Sequence, residues 1–147
     1  MKQLRIETVT PDPAVIAWPV MKFAIVSNVW IKMMHFRKKG DVMRGHTHLF
    51  DHPTILSKGS LEVTIGDEVT VFTGPSIIYI ERGKMHTLVA LEDDTHASCI
   101  HAIRDGEAIE DIVSEDMIPN GSNPRTVFAD LNLPPLTQED IIRNRAK

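Results

Sequence analysis

Residues 40–59, GDVMRGHTHLFDHPTILSKG, carry three of the chain's seven histidines within a few positions of one another. His46 and His48 stand two apart on an extended segment, so both imidazoles leave the same face. They can therefore share one ion. His52 follows the short connection Leu49-Phe50-Asp51, and His86 opens a later run, HTLVAL, whose same-parity residues Leu88 and Ala90 are apolar, as an inward face requires. Neutral imidazole suits iron, copper, nickel and zinc, and manganese less strongly, so His46, His48, His52 and His86 make a coherent set for one divalent metal ion. Asp51 adjoins His52, and a one-residue bulge would exchange the two, giving three histidines and a carboxylate instead.

Working outward, residues 20–104 are a succession of short runs rich in Val, Ile, Thr and Phe, broken by Gly, Pro, Asp and Asn, which predicts an all-β chain. The clearest hairpin is LEVTI-GD-EVTVF. Leu61, Val63 and Ile65 alternate with polar residues, Gly66-Asp67 makes the turn, and Val69 and Val71 resume the alternation, so one face should be buried and the other wet. Further strands are expected at residues 22–26, 29–36, 53–57, 76–80, 86–91 and 97–103. Many short antiparallel strands end as a sandwich or a closed barrel, and periodicity alone does not choose. Beyond residue 104 the character changes: Asn120 to Arg125 is turn-like, Pro134-Pro135 breaks any element, and residues 137–145 read as a short helix with Thr137 as N-cap and Asp140 in a weak capping box.

The chain has 147 residues and is 42% hydrophobic, enough for one core and one domain over 1–147, with the barrel at about 20–104 and a C-terminal extension at 105–147. Sixteen basic and twenty acidic residues give a net charge of −4, which argues against nucleic acid and anionic membranes as partners. Cys99 is the single cysteine, so no internal disulfide forms. With no export signal or membrane span visible, the expected location is cytoplasmic.

The stretch 40–59 resembles the first cupin motif: Gly40, His46, His48, His52 and Gly59 fall on it without a gap, and in GPSIIYIERGKMH the residues Gly83 and His86 match the end of the second. Glu81 stands where a proline is usual, Gly74 sits one residue early, Ala90 replaces the final asparagine, and His52 replaces the usual glutamate. None of these changes removes a ligand. The resemblance covers about half the chain. It implies an antiparallel double-stranded β-helix, a jelly-roll barrel, and one metal ion (Fe, Mn, Ni, Zn or Cu) per chain. It leaves open dioxygenases, isomerases, lyases, decarboxylases and non-catalytic small-molecule binders.

Four neutral imidazoles leave the full 2+ charge on the ion, so the site should favour a small anionic, bidentate substrate. The leading expectation is a dioxygenase-type oxidoreductase acting on a small enolisable or carboxylate substrate. A metal-dependent lyase or isomerase and a non-enzymatic binding module are the alternatives. Counting back by twos from His46 turns Arg44 to the metal's face, where it could clamp a carboxylate. On VWIKMMHF, Lys32 is expected to face water, which would turn Ile31, Met33 and His35 inward and make His35 an acid-base candidate. His101 shares parity with Cys99 and could line the pocket, Tyr79 could donate a phenolic proton, and Phe50 should form a wall. Met33, Met34 and Met85 read as core or rim. Because VWIKMMHF is apolar on both faces, its outer side needs cover, and a homodimer is expected.

Overall fold

The computed structural model of the protein describes residues 7–9 and 18–107. Among the described residues there are ten strands and no helix: β1 (Glu7–Val9), β2 (Val20–Val26), β3 (Val29–Phe36), β4 (Val42–His46), β5 (His52–Lys58), β6 (Ser60–Ile65), β7 (Glu68–Thr73), β8 (Ser76–Ile80), β9 (His86–Ala90) and β10 (Thr95–Ala102). They form two antiparallel sheets, of order β1-β2-β3-β10-β5-β8 and β4-β9-β6-β7. The described residues are therefore all-β, as expected. The helix expected at residues 137–145 lies outside the described residues.

The core lies between the sheets. Met21, Phe23, Trp30, Met34, Phe36, Leu56, Ile78 and Ile80 come from the six-stranded sheet, and Met43, Leu61, Val63, Leu88 and Ala90 from the other. Leu88 and Ala90 face inward as their parity with His86 required. The chain passes between the sheets at residues 47–51, from β4 in one to β5 in the other. Gly59 turns the chain from β5 into β6 with φ +87°, and a Cβ there would lie 2.2 Å from Thr95 Oγ1, so both conformation and space call for glycine.

Two expectations about facing are corrected. On β3 it is Trp30, Lys32, Met34 and Phe36 that point into the core, while Met33 is half-exposed and Ile31 and His35 lie on the outer side. Burying large side chains such as Met34 and Phe36 is worth roughly 1.5–3 kcal/mol each, with the Trp30 ring adding still more area, so the heavier face wins and carries Lys32 inside with it. On the hairpin, the two-residue turn sets Ile65 opposite Glu68, Val63 opposite Thr70 and Leu61 opposite Phe72. Directly paired residues share a face, so Val69 and Val71 go with Thr64 and Glu62 to the outside, where they are 60% and 58% exposed.

Candidate metal centre

Four histidines meet where β4 crosses to β5. His46 ends β4 directly opposite His86 at the start of β9, His48 lies in the connection, and His52 opens β5 in the other sheet. All four are buried. Two glycines make this possible. The β4–β9 register shifts between Met43 and His46, and at Gly45, inside that irregularity, a Cβ would come within 2.9 Å of Met85 Sδ and Thr87 Oγ1. Gly83, at φ +73°, donates its N–H to the His48 carbonyl at 2.8 Å and braces the loop.

Backbone carbonyls set the tautomers. His46 Nδ1 lies 3.0 Å from Arg44 O, His48 Nδ1 3.1 Å from Phe50 O, and His86 Nδ1 3.2 Å from Lys84 O. A carbonyl can only accept, so each Nδ1 carries the proton and each Nε2 keeps its lone pair. His46, His48 and His86 can each offer a ring nitrogen within 4.8 Å of the others, a group that could hold a metal ion. His52 stands beside this trio, its ring centroid 4.6 Å from that of His48 and 5.9 Å from that of His86. Both of its ring nitrogens are buried without a hydrogen-bond partner in the protein, a costly state that a metal bond would relieve.

Burial is the leading cause that keeps all four imidazoles neutral. It pushes His86 down to about 4, His48 to about 3 and His52 to about 2, and lowers His46 as well. The Lys32 charge adds to the effect on each of them. Neutral imidazole is the form that binds a cation.

Asp51 goes elsewhere. Its carboxylate faces Arg104 Nη2 at 3.6 Å and Tyr79 Oη at 3.4 Å, and a backbone hydrogen bond, helped by Arg104 and Tyr79, holds it below the usual carboxylate range. Of the exchange considered between residues 51 and 52, the structure turns His52 inward.

The remaining candidates divide. His101 is buried, stacked on Phe50 at 4.1 Å, and paired through Nε2 with Glu107 Oε2 at 2.7 Å. Phe50 in turn stacks on His48 at 4.4 Å, forming the expected wall. Cys99 is buried on the same face as His101, its Sγ 3.3 Å from Thr54 Oγ1. Arg44 is exposed, because the irregularity between Met43 and His46 buries both of those residues and turns the intervening Arg44 out. Tyr79 is also exposed and meets Asp51 at a cavity of about 460 Å³ that His52, His101 and Arg104 help to line. Met85 is exposed and Met34 is in the core.

His35 is away from the trio, on the outer side of the six-stranded sheet. Its ring stacks on His96 at 4.2 Å and 12°, and both Nε2 atoms lie 2.8–2.9 Å from Asp94 Oδ1. Lys58 pairs with the other Asp94 oxygen. Both Nε2 atoms donate their N–H to the same carboxylate oxygen, so it is protons and not lone pairs that face Asp94, and this set reads as a surface ion-pair network. The residue that sequence reasoning missed is Lys32. The signal for it was the weight of Trp30, Met34 and Phe36 on its own face.

With the geometry in place, comparison with known proteins identifies the fold. Against KdgF from Halomonas sp. the TM-score is 0.56 at 20% identity, covering 67% of this chain and 88% of that one. An RmlC-like cupin family protein with a double-stranded β-helix fold from Methanocaldococcus jannaschii gives 0.55 at 16% identity, covering 70% and 93%. An RmlC-like cupin from Shewanella frigidimarina gives 0.54 at 13% identity, covering 67% and 86%. No protein-family profile matches the sequence, and no curated protein matches it at a significant level. The chain thus has the cupin double-stranded β-helix fold, with a histidine group at its centre that could hold a metal ion.

Proposed function

We propose that this protein is a metal-dependent cupin enzyme in which His46, His48, His52 and His86 hold one divalent ion, and that it acts as a dioxygenase-type oxidoreductase on a small anionic or enolisable substrate. The observation that carries the metal is the pattern of ring nitrogens. Three Nδ1 atoms are tied to carbonyls, which leaves three Nε2 lone pairs free, and His52 is buried beside them with neither nitrogen partnered. A bound ion would supply Lewis acidity and, with iron or copper, access to dioxygen chemistry. The protein's part is to hold neutral imidazoles in fixed tautomers, to wall the site with Phe50, and to exclude bulk water by burial.

Elemental analysis of protein purified without added metal, followed by an oxygen-consumption screen over small carboxylates and enols, tests the reading. One equivalent of iron or copper and substrate-dependent oxygen uptake are expected. Turnover of a substrate at the same rate without oxygen would refute the oxygenase assignment.

The His101–Glu107 pair favours a second reading, a metal-dependent lyase or isomerase. A buried imidazole held by a carboxylate beside the site is built to move a proton. Oxygen-independent turnover that is lost in His101→Gln would establish it. The half-exposed Met33 on the outer face of β3 supports a homodimer, and a monomeric mass in solution would count against that.

A further inference from the structure

Lys32 sits in the middle of β3 on its inward face and is 1% exposed. Its register neighbours are Phe23 on β2 and Cys99 on β10. Cys99 pairs in turn with Thr54 on β5. Thr54 is two residues along β5 from His52, and Cys99 two along β10 from His101, so Lys32 lies in the row next to those two histidines. The buried polar side chains among the described residues are Lys32, His46, His48, His52, Thr54, His86, Thr95 and His101. None of them is a carboxylate. Glu107, the acid that reaches His101, is engaged by that ring.

We propose that Lys32 is the binding group for the acidic end of the substrate, so that the site takes a small mono- or dicarboxylate with one end at the histidine group and the other at the Lys32 amine. This rests on the metal reading above and adds the substrate class and the residue that selects it. Burial holds the Lys32 amine below the usual lysine range, only the Cys99 thiol opposes that shift, and no carboxylate is among the buried side chains; a fold retains such a cost where a ligand completes the charge balance. The placement is right: Lys32 is buried on the inward face of the same sheet that carries His52 and His101, one row along from both. A carboxylate beside the amine would favour its protonated form, and the ammonium then presents three donors and no acceptor, which suits a carboxylate and rejects a cation.

Oxalate and its neutral diamide, oxamide, serve as probes, titrated by calorimetry into full-length zinc-loaded protein and into Lys32→Met. The wild type should bind oxalate, and Lys32→Met should bind it at least about tenfold more weakly, with zinc content unchanged and oxamide binding unaltered. Replacing a buried charge by an apolar side chain of similar length should leave the melting temperature equal or higher. Lys32→Gln provides the same readout should the methionine variant not fold. Equal oxalate affinity in wild type and variant, or no oxalate binding by the wild type, overturns the inference. Failure of the wild type to hold zinc refutes the metal reading separately. The oxalate comparison is then made on metal-free protein, where a loss in Lys32→Met still supports the role of Lys32 and equal affinity overturns it.

Discussion

The protein carries two histidine clusters on opposite sides of one sheet region, and they differ in every respect that matters for binding a metal. Inside, His46, His48 and His86 meet at angles between 58° and 64°, with their Nδ1 protons turned away to backbone carbonyls and no carboxylate among them. Outside, His35 and His96 lie nearly parallel, both address one oxygen of Asp94, and Lys58 takes the other. In both clusters the ligand atoms lie within 4.8 Å of one another, so proximity does not distinguish them. Direction and competition do. A metal needs lone pairs that converge and are not already satisfied, and only the inner cluster offers both.

Breaking the inner cluster should have the largest effect. His48→Ala or His86→Ala should lower metal affinity by more than about 100-fold, beyond the cost typical of losing a supporting contact, while His35→Ala and His96→Ala leave metal content unchanged. Equal losses in both sets, read by elemental analysis, would refute the distinction. Next in size, His52→Ala should weaken metal binding by about 10–100-fold, and Asp51→Ala should not, because its carboxylate is directed to Arg104 and Tyr79. The opposite outcome would make the site a three-histidine-one-carboxylate centre.

Acid should separate the clusters through stability. Burial holds His86, His48 and His52 at about 4, 3 and 2, whereas the unfolded chain takes up these protons near pH 6.5. Between pH 6.5 and 4 the unfolded state therefore binds more protons than the folded one, and the metal-free protein loses stability as pH falls. Each such histidine contributes a slope of up to about 1.4 kcal/mol per pH unit. Melting temperatures should drop over that window, less steeply in His48→Ala and His86→Ala; a flat profile would contradict burial of neutral rings. The smallest effect is expected from Asp94→Asn. It dissolves the outer network, yet solvent screens that network and exposed pairs contribute little, so the melting temperature should barely move.

Much of this was legible in the sequence. The β-rich rhythm, the Gly66-Asp67 hairpin, the strands around residues 22–36 and 76–103, and the convergence of His46, His48 and His86 all follow from local rules, because alternation and turn chemistry act over a few residues. Errors arose where a strand had two plausible faces. Charge alone predicts Lys32 in water, and parity with Ile31 and Met33 then predicts His35 inside. The core chose the face with Trp30, Met34 and Phe36, moving both residues at once. Arg44 was misplaced for a related reason, since the shift beside Gly45 changes parity in a way that spacing does not announce.

By itself, then, the sequence determined that residues 20–104 are β-rich and which histidines could meet, for these depend on residue type and spacing along single strands. Only the tertiary structure decided which face of β3 is inside, that Asp51 turns away while His52 turns in, and that a buried lysine lies in the row beside His52 and His101 with no carboxylate among the buried side chains. Those outcomes depend on what the opposite sheet and the neighbouring strands present. A one-residue change of register reverses every side chain of a strand, and the balance that selects the register is summed over the whole core.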